Sequence, residues 1–315
     1  MKLSRTLTIL AAVLLIVSFG FSQDTDYQEQ LEKYKQDSIR IAKENEAKKK
    51  QLEEAKKANL AKQAVNEGNT FIKKKQWAQA LKSYELALQY EPSLAKAYYG
   101  KGLALKRLNR YNDAIMAYQK ATQLDPLYAE AFLSMAMLYR QLKRYDYALT
   151  AINSAVSIDS TSYKVFYELG TIYNGLKRYK KAAEAFKEVT ELRSNHYSAY
   201  TALGVAYENA GETEKAIEAY NKSIEIKPDR DITYYRLAAL YNKLGRNGEA
   251  LEMALKSLEN KPRNNGKAAF EAGQAYERLG QYDNAIKYYK MAGNMDRRWK
   301  RNADYQIDLI NRKYK

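Results

Sequence analysis

The chain contains four prolines, and all four stand at one phase of a 34-residue period. Pro92, Pro126, Pro228 and Pro262 are separated by 34, 102 and 34 residues, and 102 is three periods. Proline lacks an amide hydrogen and fixes its own φ, so it punctuates helices instead of sitting inside them. Other residues keep the same period. Ala80, Ala114, Ala148, Ala182, Ala216 and Ala250 follow one another at 34 residues, as do Tyr139, Tyr173, Tyr207 and Tyr241. Gly68 and Gly102, then Gly170 and Gly204, do the same. Self-similarity at this period marks a stack of small repeated units, and it overrides the two globular domains that 315 residues would otherwise suggest.

Within one unit a small residue is followed by an aromatic three positions on. Alanine comes nine positions later, then an aromatic, a second small residue and proline. Unit 61–94 carries Gly68, Phe71, Ala80, Tyr84, Ala87 and Pro92, and unit 95–128 carries Gly102, Leu105, Ala114, Tyr118, Ala121 and Pro126. Unit 129–162 has Ala136, Tyr139, Ala148, Ile152 and Ala155, with Ser160 in place of proline. Units 163–196, 197–230 and 231–264 repeat the scheme, and the seventh, 266–299, slips by one residue near Asn265. This pattern resembles the tetratricopeptide repeat. The resemblance implies an all-α, right-handed superhelical α-solenoid of antiparallel helix pairs. It also implies that the first helices line a concave groove for extended segments or helices of partner proteins.

The packing expected of such a unit follows from its residue sizes. The small residue of the first helix should face the in-phase alanine of the second, letting the axes approach, with aromatics filling the space on either side. One pair cannot bury its own apolar face, so stacked neighbours must do so. The turns within units hold Gly211, Gly245 and Gly280, or polar residues such as Asn109.

The flanks differ from the array. Residues 1–22 read as an export signal: Lys2 and Arg5 precede an apolar run from Leu7 to Phe21, and Gly20 and Ser22 are small residues placed before a cut at Gln23. The run is short of the roughly 20 residues that span a membrane, and an uncleaved N-terminal anchor is the alternative. Residues 23–60 hold no proline or glycine and balance nine acids with nine bases. They are expected to form a charged helical linker. Leu31, Tyr34, Ile41, Leu52 and Ala55 keep a loose heptad phase broken by Ser38, Asn45 and Lys48, so a self-associating coiled coil stays open as an alternative. Residues 300–315 carry Ala303, Ile307 and Ile310 at helical spacing, suited to a C-terminal capping helix.

Composition narrows the chemistry. With no cysteine and a single histidine, His196, the chain lacks thiol nucleophiles and the ligands of a zinc site. It has no phosphate-binding glycine loop of the P-loop type and no dinucleotide fingerprint. His196 falls at a turn between units, where an ordinary packing role is expected. No catalytic residue, metal or cofactor is therefore expected. The net charge is +16, or +14 without Lys2 and Arg5, and the surplus lies in 61–315. It reads either as a solubilising surface or as attraction to anionic polymer, with no nucleic-acid partner expected for an exported chain.

Helical geometry places the second, fifth, ninth and twelfth residues of each unit on one face of the first helix. The expected groove is thus lined by Asn69, Tyr99, Leu103, Lys106, Leu133, Met137, Arg140, Tyr167, Thr171, Asn174, Tyr235 and Phe270. The alternative for the aromatics is packing against neighbouring units. A track of Tyr, Leu and Met beside Lys106 and Arg140 would suit a segment with apolar anchors and some acid. The sequence thus points to an exported, periplasmic or secreted, non-catalytic scaffold that binds other proteins. The alternative is a binder of peptidoglycan or lipopolysaccharide.

Overall fold

The computed structural model describes residues 25–314, which form fifteen α-helices and no strand. α1 (Thr25–Lys73) is unbroken, and its last turns pair with α2 (Trp77–Tyr90). The succeeding pairs are α3 (Ala95–Arg107) with α4 (Tyr111–Leu124), α5 (Ala129–Gln141) with α6 (Tyr145–Ile158), and α7 (Tyr163–Gly175) with α8 (Tyr179–Leu192). Then come α9 (Tyr197–Ala210) with α10 (Thr213–Ile226), α11 (Asp231–Lys243) with α12 (Asn247–Asn260), and α13 (Gly266–Arg278) with α14 (Tyr282–Met295). α15 (Arg297–Tyr314) closes the array. First helices of successive pairs also touch, as α1 does α3, α5 does α7 and α11 does α13, whereas second helices make no comparable approach. The odd-numbered helices therefore form the inner layer of a curved α-solenoid, and the even-numbered ones the outer layer.

The hairpin inside each pair is built by one left-handed residue. Lys75, Asn109, Lys143, Lys177, Gly211, Gly245 and Gly280 all have positive φ, between 57° and 80°. In the second pair the Asn109 N–H donates to the Lys106 carbonyl at 3.1 Å and the Arg110 N–H to the Leu105 carbonyl at 2.9 Å. These two bonds satisfy carbonyls that the helix end leaves open. Between pairs the prolines sit just beyond the ends of the second helices. Where Ser160 stands instead, the Asp159 carboxylate accepts the Thr161 N–H at 3.1 Å, as the Asp125 carboxylate accepts the Leu127 N–H at 3.1 Å beside Pro126.

The in-phase alanines are all core residues: Ala80, Ala114, Ala148, Ala182, Ala216, Ala250 and Ala285 are 0% exposed. The nearest atoms to the glycines of the first helices, however, belong to the ring four positions past each alanine. A Cβ added to Gly68 would lie 2.8 Å from the ring of Tyr84, and one on Gly102 2.5 Å from Tyr118. Gly170 lies in the same way under Phe186, Gly204 under Tyr220 and Gly273 under Tyr289. The glycine is there because a ring packs so close to the first helix's backbone that a Cβ would collide with it. The two units with Ile152 or Ala254 in place of the ring carry Ala136 or Ala238 in place of the glycine. The alanines are completely buried in the stack, where a larger side chain would have to displace its neighbours.

The ends are built differently. Residues 38–60 of α1 are exposed throughout, and its buried seam begins with Ala61 and Ala64. Pairs such as Lys35–Glu32 and Lys56–Glu53, both at 3.1 Å, lie along the solvated part. At the other end α15 buries Ala303 and Ile310, lays Trp299 on Phe270 with ring centroids 4.7 Å apart, and stacks Tyr314 on Tyr282 at 4.0 Å. No described helix is long and apolar enough to cross a membrane. The expected signal at 1–22 lies outside the described residues.

Candidate partner-binding groove

The inner layer presents the expected residues in three settings. In the first half Tyr99, Leu103 and Leu133 are half-buried against the core, while Met137 is 36% exposed. The Tyr99 ring lies 5.8 Å from Tyr118 and 5.0 Å from Tyr128, and the Ser134 hydroxyl is 3.4 Å from its phenol oxygen. Tyr99 therefore belongs partly to the packing between units two and three. Asn69 is exposed and accepts a hydrogen bond from the Tyr84 hydroxyl at 2.7 Å.

In the middle of the array Arg140 is not free to receive an acidic ligand. Its guanidinium grips Glu168 of the next unit through Nε at 2.5 Å and Nη2 at 3.2 Å, in the bidentate geometry favoured by arginine and carboxylate. Glu168 is 5% exposed. Burial pushes its carboxyl up, and Arg140 and Lys106 pull it back down. The reading of Arg140 as a cation offered to partners is thus corrected, because its charge is answered within the chain. Lys106 remains half-buried in the groove. Burial first, and then neighbouring Arg107 and Arg140, hold its ammonium below the usual lysine range, against the pull of Glu168.

Tyr167 packs edge-on to Phe186 at 5.4 Å and beside His196 at 5.7 Å. His196 is a helix cap: its Nδ1 accepts the Ala199 N–H at 3.1 Å at the start of α9. The Thr171 hydroxyl donates to the Tyr167 carbonyl of its own helix at 2.8 Å. Asn174 is half-buried, and its Oδ1 has no hydrogen-bond partner.

Toward the C-terminus Tyr235 is half-buried beneath the Lys267 ammonium, 4.5 Å from its ring centroid. Phe270 is 7% exposed, closed in by Tyr289 at 5.2 Å and Trp299 at 4.7 Å. It is a core residue, and its place among groove residues is corrected: the cap helix covers the position that is open in earlier units. This half of the groove turns acidic. Glu208 accepts from the Tyr220 hydroxyl at 2.9 Å and from Lys243 at 2.8 Å, and Glu277 accepts from the Tyr289 hydroxyl at 2.6 Å. Glu271, 8% exposed, accepts from Asn242 Nδ2 at 2.9 Å.

Glu168 and Glu271 escape the sequence reading. Both stand at the sixth position of a first helix, one residue past the expected groove position, and each bonds to the twelfth position of the preceding unit. Their signal is an acid at a phase that the other units fill with Asn66, Gly100, Ser134, Ala202 and Arg236.

Family profiles described as tetratricopeptide repeat match residues 95–128, 129–162, 163–196, 197–230, 232–264 and 266–296, and one described as TPR repeat matches 68–109. Among solved structures, a tetratricopeptide repeat protein from Parabacteroides merdae is 19% identical with a TM-score of 0.57, over 80% of this chain and 98% of that one. PilF of Pseudomonas aeruginosa is 18% identical with a TM-score of 0.57, over 65% and 94%. MamA of Desulfovibrio magneticus is 22% identical with a TM-score of 0.50, over 54% and 97%. No curated protein matches significantly.

Proposed function

This chain belongs to the tetratricopeptide repeat family, and from that premise we propose that it is a non-catalytic scaffold of the cell envelope, holding segments of other proteins in the groove of its odd-numbered helices. The observation that carries the reading is the half-open track of Tyr99, Leu103, Leu133 and Met137 beside Lys106. Side chains anchored on a packed inner layer lose little freedom when a segment covers them, which is how a preorganised surface gains affinity. Export rests on the signal-like residues 1–22 and places the partners in the periplasm or outside the cell.

A photo-crosslinking residue at Met137, compared with one at Lys120 on outer-layer α4, tests this in the native cell. Protein adducts at Met137 and not at Lys120 are expected. Equal labelling at both, or none at Met137, overturns the groove. Cell fractionation with N-terminal sequencing tests export, with Gln23 as the expected first residue. A second reading, binding of peptidoglycan or lipopolysaccharide, is favoured by the basic surplus in 61–315. It requires retention on the purified polymer that collapses as salt rises.

A further inference from the structure

Where the groove meets the cap, four cations converge. Lys261, Lys267 and Arg298 line a pocket of about 430 Å³ together with Asp296, Trp299 and Asn302. Arg236 of α11 adds a fourth charge close enough to act on Lys267. Two carboxylates answer them in part. Asp296 binds Arg298 at 2.7 Å, and Asp231 stands 3.9 Å from Lys261. The Lys267 ammonium rests on the Tyr235 ring, with no carboxylate in ion-pair range among the described residues. Burial holds it below the usual lysine range; Asp231 works the other way, and Lys261, Arg236 and Arg298 add to the lowering. Charges of one sign gathered beside Trp299 repel one another, and an incoming anion relieves that repulsion.

We propose that this pocket anchors the carboxylate side chains of an acidic partner segment, at the closed end of the groove. The proposal rests on the groove being the binding face, and it adds the chemistry of one end of the ligand. Three features favour an acidic peptide. The cations stand at the far end of a groove whose first half offers apolar contacts. Trp299 lines the pocket and can cover the methylenes of a glutamate while its carboxylate reaches Lys267, with Arg236 adding its field. Asp231 and Asp296 within the cluster oppose a doubly charged phosphate more strongly than a single carboxylate.

The chain has two tryptophans, so full-length protein carrying Trp77→Phe reports from Trp299 alone. A short Glu/Ala peptide should change Trp299 emission saturably, and its Gln/Ala counterpart should not. Lys267→Gln with Arg236→Gln should weaken binding about tenfold or more, through loss of two charge-assisted contacts, while Lys267→Arg retains it. Circular dichroism of each variant shows whether the fold is intact. Undiminished binding by the folded double variant, or equal binding of the Gln/Ala peptide, overturns the proposal. So does displacement of the peptide by inorganic phosphate, or by phosphatidylglycerol vesicles, at equal anion concentration. These variants leave Met137 untouched, so crosslinking there reports separately on the groove.

Discussion

The ring of Tyr118 packs against the backbone of Gly102, so close that a Cβ at the glycine would come within 2.5 Å of the ring's Cε1. Tyr118 is 0% exposed and has no room to withdraw. Gly102→Ala should therefore destabilise the array by about 2 kcal/mol, even though alanine is the better helix former. Gly248, near the start of α12, has nothing within 4 Å of its virtual Cβ, and Gly248→Ala should stabilise by about 0.5 kcal/mol. Paired denaturant melts check the two signs, and a neutral Gly102→Ala would break the assigned ring packing.

Ala148 tests the in-phase alanines. It is 0% exposed in α6, and Ala148→Leu should cost about 1–3 kcal/mol by overpacking. An unchanged melting temperature would mean that the repeat phase is misassigned.

Lys143 and Lys177 hold the left-handed turn position that glycine occupies in the later units, both at φ 57°. An L-residue there costs roughly 1–2 kcal/mol, part of which glycine returns as chain entropy in the unfolded state. Lys143→Gly should raise stability by about 1 kcal/mol, measured by thermal melting, with Lys177→Gly adding a similar increment because the two turns are separate.

Arg140 and Glu168 form the most buried ion pair of the groove, with side chains 32% and 7% exposed. Removing the arginine leaves a carboxylate without its counter-charge. Arg140→Met should cost about 3 kcal/mol, at the lower end for a broken buried pair because the arginine is partly solvated. Glu168→Leu in the same chain should recover most of that loss, and a double-mutant cycle in urea reads the coupling.

The buried tyrosines set an alkaline limit. Burial, reinforced by Tyr99, pushes the Tyr84 phenol up to about 12, and burial likewise raises Tyr118, Tyr220 and Tyr289. In the unfolded chain tyrosine ionises near pH 10. Above that pH the unfolded state has lost protons that the folded state keeps. Their contribution is therefore complete below about pH 10 and declines as pH rises through about 12. Far-UV circular dichroism and tyrosinate absorbance recorded together should show helix loss coinciding with the ionisation of these residues. Full titration of every tyrosine with helicity retained would contradict it.

The repeat and its helix pairs are legible in the sequence because their signals are local: a proline phase, an alanine phase and a turn residue. Even the ring-on-glycine packing is written there, since glycine occupies its position in the five units whose second helix carries an aromatic sixteen residues on, and alanine in the two that lack one. What escapes is contact across units. Glu168 meets Arg140 over 28 residues and Glu271 meets Asn242 over 29, pairings that require knowing how first helices lie alongside each other. Phe270 keeps the groove phase yet is hidden, because the phase carries no record of the capping helix laid over it.

α1 runs for 49 residues from the solvated N-terminal part into the first unit. At about 1.5 Å per residue it is a rod of roughly 70 Å. Nothing hinges between them, so a tug or twist applied at the rod's tip reaches the groove as leverage instead of being absorbed as slack. The direction in which the groove faces is tied to whatever holds that tip.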